Sequence, residues 1–398
     1  MQRSKRIGLR RAAAVVAATA AVLAGCSTGD DGSSDDDADD TAEADTTDPP
    51  ETEAEPETEA EPETETTDAA TDTETDTETE TTDPDAEVDA PADVETGSGV
   101  TDTAISLAIL TDLTGPFAAG AAIQIDGFNA YWDDVNANGG VCGRTVELNV
   151  QDHTYDPQVA VSQYQNIADD TLAVLQLLGS PMVSALLPQL NDDGMYVGSM
   201  GWASVVLPSE VAQMPGTSYS IQGANAIDWL IENGEIAEGD SVGIVFFEGD
   251  FGGDVAAGVE FAAGEYGLNV VEQPVTPADT DLTSQVAALQ QEGVSAVVIG
   301  GSPGTLGAYA GAAVAAGLEV PIVGANPVFN PSLLDSPVAD FLIEHYISIT
   351  AVAPYASSDP GPQAAAELYT AAGGDVPGWE VPLAYGQAVL MREALDAA

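Results

Sequence analysis

Ile109-Leu110-Thr111-Asp112-Leu113-Thr114-Gly115-Pro116-Phe117 is the stretch whose reading decides the fold. An apolar run of strand length, 104–110, leads into it, and its Thr-Gly-Pro turn hands the chain to a helical stretch at 123–135. A strand that is apolar almost throughout is covered on both faces, as in parallel sheets. A turn straight into a helix is the first half of a strand–helix–strand unit. The same pattern recurs outward from this point. Strand-length runs lie at 146–150, 172–177, 196–200, 242–247, 268–271, 296–299, 320–323 and 346–349. Helical stretches lie between most of them, at 158–167, 226–231, 255–266, 283–290 and 306–316. Gly139, Gly267, Gly293 and Gly317 stand where helix C-caps favour glycine. The expectation is an α/β fold of two doubly wound parallel-sheet lobes. A single eight-fold barrel is the rival arrangement.

Ahead of this region, residues 26–99 form an acidic linker of Asp, Glu, Thr, Ala and Pro, with repeats such as Glu53-Ala54-Glu55-Pro56 and Glu59-Ala60-Glu61-Pro62. It offers almost nothing to bury, so a disordered tether is expected, spanning roughly 45 Å r.m.s. before like charges stretch it. Its acidic clusters lack the ligand spacing of a helix-loop-helix calcium site. Residues 1–25 read as a secretory signal: a basic start (Arg3, Lys5, Arg6, Arg10, Arg11), an Ala/Val run too short to span a bilayer, and small residues before a cleavage point. The ending Leu23-Ala24-Gly25-Cys26 resembles the lipobox of bacterial lipoproteins. That resemblance implies acylation of Cys26, export, and anchoring by acyl chains to the outer face of the cell membrane. An ordinary signal peptide with an incidental cysteine is the alternative.

Charge excludes several classes. The chain has 7 Lys+Arg against 67 Asp+Glu, a formal net charge of −60. Only Arg144 and Arg392 fall outside the signal. Such a chain repels phosphate backbones and anionic lipid, so nucleic-acid binding and polybasic membrane docking are excluded. With no lysine beyond Lys5, a phosphate-binding P-loop is excluded too. Carboxylates spread along the whole chain suit adaptation to high salt, where screening relieves self-repulsion; a cationic partner is the other reading. Cys142 lacks an intramolecular partner once Cys26 is acylated and reads as a packed small residue in a loop. His153 and His345 are far apart, without metal-ligand spacing, and no Gly-x-Ser-x-Gly elbow is present. No catalytic constellation, metal site or cofactor is expected. Gly300-Gly301-Ser302-Pro303-Gly304 reads as a turn into a helix rather than a dinucleotide loop.

The order of short motifs is more specific than any one of them. After the opening stretch come Val135-Asn136-Ala137-Asn138-Gly139-Gly140-Val141-Cys142-Gly143-Arg144, then Asp156-Pro157, Leu178-Gly179-Ser180 and Gly198-Ser199-Met200. Asp250-Phe251-Gly252-Gly253, Ile299-Gly300-Gly301 and Ala316-Gly317-Leu318 continue the series. Together, over about 101–398, these resemble the branched-chain amino acid (Leu/Ile/Val) class of type I periplasmic binding proteins, the substrate-binding components of ABC importers. The resemblance implies lobe 1 at 100–221 plus 350–398 and lobe 2 at 222–349, joined by hinge crossovers. Relatives continue past the last helix with closing strands and a further crossing, so it also implies that the C-terminal part of lobe 1 is cut short. The implied function is capture of a small polar organic solute, a branched-chain amino acid or one of amide, urea or carboxylate type, by a monomer that delivers it to an ABC permease. Presentation of the ligand to a receptor or signalling partner is the alternative.

In doubly wound sheets ligands bind beyond the carboxyl ends of strands, at helix N-termini. Lobe 1 offers 114–117, 180–184 and 199–204 there, and lobe 2 offers 248–251, 302–305 and 326–329. By resemblance, Ser180 and Ser184 hold a ligand carboxylate; by local reading either is an N-cap. Trp202 and Ser204 sit in the family's second carboxylate-contacting loop. Phe251, and less directly Phe117, match aromatics that close on the solute, though Phe251 also reads as a hydrophobic staple. Ser302 stands where relatives place a bulky aromatic, which implies a roomier pocket. Asn225 and Asn326 stand where amino-acid-binding relatives present carboxylates to the ligand's ammonium. An amide does not cancel a buried positive charge, so the expected ligand lacks a free ammonium: an amide, a urea-like compound or a carboxylic acid. Asp228 or Glu248 restores the charge if those counterparts are displaced, and Arg144 lies on the far side of its strand from the cleft.

Overall fold

In the computed structural model the described residues are 95–375 and 378–398. The signal peptide, Cys26 and the linker up to residue 94 lie outside them. Ten strands form two five-stranded parallel sheets, both within the unit Thr81–Ala398. The first contains β1 (Ala104–Thr111), β2 (Thr145–Asp152), β3 (Ala173–Leu178), β4 (Val197–Met200) and β5 (Ala212–Gln213), in the order β2-β1-β3-β4-β5. The second contains β6 (Ser241–Phe247), β7 (Asn269–Val275), β8 (Ala296–Gly300), β9 (Ile322–Gly324) and β10 (Tyr346–Ser348), in the order β10-β9-β8-β6-β7. Read from its own first strand, the second sheet repeats the topology of the first. Two open sheets rule out the barrel.

Among the described residues ten helices accompany them: α1 (Ala118–Ala137), α2 (Pro157–Ile167), α3 (Ser180–Asp193), α4 (Tyr219–Glu232), α5 (Asp250–Tyr266), α6 (Thr283–Glu292), α7 (Pro303–Ala316), α8 (Ala339–His345), α9 (Pro360–Ala371) and α10 (Glu380–Ala397). Every strand read from the sequence is present within a residue or two, except that β7 runs on to Val275. The two-residue β5 and the helices α8 and α9 were not anticipated. β5 is too short to show a period. The lobe boundary read at 221/222 falls inside α4, which packs on α5 of the second half.

Burial explains the layering. Along β1, alternate side chains leave on opposite faces. Leu107 and Ile109 pack with Phe128, Trp132 and Ala388 on the α1/α10 side. Ala108 and Leu110 pack with Tyr164, Met182 and Leu186 on the α2/α3 side. α10 is tied to the sheet by Gln387 Nε2, which donates to Leu175 O at 2.8 Å. α4 and α5 approach through small residues: a Cβ on Gly258 would lie 1.9 Å from Ser220 O, and one on Gly223 would lie 2.2 Å from Val255 O. Gly267, Gly293 and Gly317 end their helices in the left-handed conformation, as expected, while Gly139 follows an Asn138 cap. Cys142 differs from expectation. It is exposed, at φ 51°, because it forms the tip of the turn that the Val141–Arg144 bridge closes.

Candidate functional site

In each sheet the chain leaves its first and third strands in opposite directions, and the loops there open a crevice between β1 and β3 and between β6 and β8. The two crevices together bound a cavity of about 90 Å³. Pro116, Phe117, Gly179 and Ser180 come to it from the first sheet, Phe251 and Pro303 from the second.

The β1 turn is held by carboxylates rather than by sheet. Asp112 accepts from Gly115 N at 2.6 Å and Phe117 N at 2.9 Å, and Asp152 accepts from Leu113 N and from Thr114 Oγ1, each at 2.9 Å. This places the Phe117 ring 5.0 Å from Tyr155 and 6.4 Å from Phe251, the latter edge-on. Tyr219 stacks on Trp202 at 5.8 Å and meets Phe251 at 4.6 Å. Trp202 is fully buried, its Nε1 donating to Ser199 O at 2.8 Å. These rings make one apolar wall drawn from both halves. Burial pushes the Tyr219 and Tyr155 hydroxyls well above their usual range, so both stay neutral.

The other wall is polar and comes from segments that pattern reading did not join. Asn326, whose peptide bond to Pro327 is cis, has its backbone N–H donating to Gln222 Oε1 at 2.9 Å. Phe329 stacks on Tyr346 at 5.7 Å and its carbonyl accepts from Trp379 Nε1 at 3.0 Å. Asn330 Nδ2 donates to Glu380 Oε1 at 3.2 Å, while its own Oδ1 accepts from Ser332 N and Oγ. Glu380, in the first turn of α10, is wholly buried, and burial raises its carboxyl to about 7. Gln124 lines the cavity and accepts from Gln176 Nε2.

Three polar side-chain atoms on these walls have no hydrogen-bond partner: Ser180 Oγ, Asn326 Nδ2 and Glu380 Oε2. A buried polar atom left unpaired costs about 1–3 kcal/mol, so each of the three would gain from a polar partner.

Of the residues singled out in the sequence, Phe117, Ser180, Trp202, Phe251 and Asn326 line this cavity. Ser184, Ser204, Asn225 and Ser302 are not among its lining residues. Ser184 is in the second turn of α3. Ser204 Oγ and N donate to Asp254 on α5, which also holds Ser220 N, so Ser204 joins the two halves outside the cavity. Asn225 is exposed on α4. Ser302 closes a capping box with Thr305. The alternative carboxylates are elsewhere too: Asp228 accepts from the Tyr266 hydroxyl and Glu248 is exposed. Arg144 is buried at the start of β2, donating to Thr101 O at 2.7 Å, and Arg392 pairs with Asp396 at 2.7 Å. Sequence reading missed Tyr155, Tyr219, Asn330, Trp379 and Glu380. An acidic residue opening a helix reads as an ordinary dipole partner, and nothing local shows that Glu380 is sealed from water.

The chain is similar to proteins of known role. It is 25% identical over 237 residues to the leucine-specific-binding protein of Salmonella typhimurium, covering 58% of this chain and 63% of that protein. It is 24% identical over 236 residues to the Leu/Ile/Val-binding protein of Escherichia coli, with the same coverage. The match thus spans less than two thirds of the length of either relative. Among solved structures, a fatty acid ABC transporter substrate-binding protein from Thermomonospora curvata is 39% identical, with TM-score 0.74, covering 76% of this chain and 78% of that one. A branched-chain amino acid ABC transporter protein from Thermus thermophilus with bound valine shares the fold at 19% identity and TM-score 0.68. Residues 104–398 match the family described as periplasmic binding protein, and the chain belongs to that family.

Proposed function

We propose that the chain captures a small organic solute with an apolar body and one compact polar head, and delivers it to an ABC importer of the branched-chain amino acid type. The observation that carries this reading is the aromatic cavity at the two strand crevices, with Ser180 Oγ, Asn326 Nδ2 and Glu380 Oε2 unpartnered around it. Neither Arg144 nor Arg392 lines it. At about 90 Å³ it is below the ~150 Å³ that accommodates benzene, so a longer acyl chain requires the halves to part, as hinge closure in two-lobed binding proteins allows.

The 39% identity to a protein named for fatty acids supports an acid with an apolar tail over a free amino acid. In this reading residues 100–221 with 350–398 and residues 222–349 act as two lobes. Acylated Cys26 holds a monomer to the outer face of the cell membrane through the 26–99 tether, and the acidic composition serves solubility in high salt.

Isothermal titration with pentanoate, pentanamide and leucine, paired with small-angle scattering, tests the proposal. Binding of pentanoate or pentanamide with contraction of the protein is expected. Micromolar leucine binding with no response to the other two overturns the ligand class. Absence of contraction with all three overturns solute capture.

A further inference from the structure

We propose that Glu380 meets the solute as a neutral carboxylic acid, donating its hydroxyl to a ligand carboxylate, so that capture is linked to one proton. This inference rests on the cavity being the solute site.

The geometry leaves Glu380 one free oxygen. Oε1 accepts from Asn330 Nδ2, while Oε2 has no partner and the residue lines the cavity with no exposed surface. The other polar residues of the lining, Ser180, Asn326, Gln124, Asn330, Ser332 and two tyrosines, carry no charge. A ligand carboxylate entering this site meets no cation among the lining residues. An ionised Glu380 would face it as a like charge in a water-poor pocket. Two such carboxyl groups cannot both ionise and instead share a proton. Burial already holds Glu380 near the point where that proton is available, with a pKa of about 7. Once protonated, Glu380 has a hydroxyl to donate, and Asn326 Nδ2 and Ser180 Oγ are two further unpartnered donors on lining residues.

The charged surroundings of Glu380 do not supply this behaviour. α1 carries Asp126 and, farther along, Tyr131, and Asp375 follows α9; both acids are exposed. Tyr369 on α9 is raised, first by burial and then by Asp126, Asp375 and Glu380, and stays neutral. On α10 itself, Tyr385 faces Tyr131, and Arg392, Glu393 and Asp396 lie toward its far end. An ammonium ligand makes the opposite demand, an ionised Glu380, and affinity for it would rise with pH.

The test is titration of the protein with pentanoate, pentanamide and leucine at pH 5.5, 7.0 and 8.5, for the natural chain and Glu380→Gln. One linked proton near pH 7 predicts a loss of pentanoate affinity of about thirtyfold from pH 5.5 to 8.5, with proton uptake at pH 8.5 seen as a dependence on buffer ionisation heat. Pentanamide affinity stays flat. In E380Q the amide N–H replaces the acid hydroxyl, so pentanoate binding persists within about threefold of its acid-pH value and loses its pH slope. Pentanoate binding that is pH-independent in the natural chain, or whose slope survives in E380Q, overturns the inference and leaves the cavity reading standing. Leucine binding that E380Q abolishes also overturns it. No binding of any probe by the natural chain overturns both.

Discussion

Both halves of the molecule carry Gly-Ser-Pro where the third strand hands over to a helix: Gly179-Ser180-Pro181 after β3 and Gly301-Ser302-Pro303 after β8. The two serines nevertheless do different things. Ser302 is the N-cap of α7, accepting from Thr305 N at 3.3 Å while Thr305 Oγ1 accepts from Ser302 N at 3.2 Å. In the first half, Gly179 takes the N-cap position at φ 97°, and Ser180 becomes the first residue of α3. Three residues on, where α7 has Thr305, α3 has Val183, which offers no hydroxyl. Ser180 Oγ is therefore left unpartnered at the cavity wall. One motif serves stability in one half and, in our reading, ligand contact in the other. The difference lies in a backbone angle and in the residue three positions on.

The largest effect is expected where the halves meet. Phe251 opens α5 in the second half as Phe117 precedes α1 in the first, and its ring touches Tyr219, Phe117 and Phe247. Phe251→Ala is expected to cost about 3–5 kcal/mol in urea unfolding. A loss below 1 kcal/mol would mean the aromatic wall adds little to joining the halves.

Glu380 comes next. Its carboxyl is raised from 4.5 to about 7 in the folded state, so folding favours the protonated form. Stability from this group is complete below pH 4.5, declines as pH rises to 7, and stays at the lower level above that. Ligand-free Glu380→Gln should therefore match the natural chain at pH 4.5 and exceed it by about 3 kcal/mol at pH 8. Equal unfolding midpoints at pH 8 would contradict the buried-carboxyl account.

The serine pair gives the smaller and more diagnostic effects. Ser302→Ala should lose about 1 kcal/mol of stability with solute affinity unchanged. Ser180→Ala should hold or gain slightly in stability, since a buried unpaired hydroxyl is removed, and weaken the solute by about five- to tenfold. If both variants lose stability equally and neither affects binding, the two serines are equivalent after all.

Periodicity made the layering legible. The strand at 104–110 and its eight successors show continuous apolar runs because burial on both faces is written into consecutive residues. Gly267, Gly293 and Gly317 mark helix ends because a left-handed residue is a local requirement. The aromatic Phe117 and Phe251, and Ser180, Trp202 and Asn326, could be placed near the strand ends for the same reason.

What the sequence determined by itself was the α/β class, the two-sheet count and the loops that end at the crevices, since each follows from contacts between near neighbours. Only the tertiary structure decided which groups in those loops stay unsatisfied. Ser302 and Ser204 find partners and leave the cavity, Asn225 faces solvent, and Glu380 loses water because α1, α10 and the 329–332 turn converge on it. Burial and pairing of a polar atom depend on segments distant along the chain, so the protonation state of Glu380 belongs to the folded molecule alone.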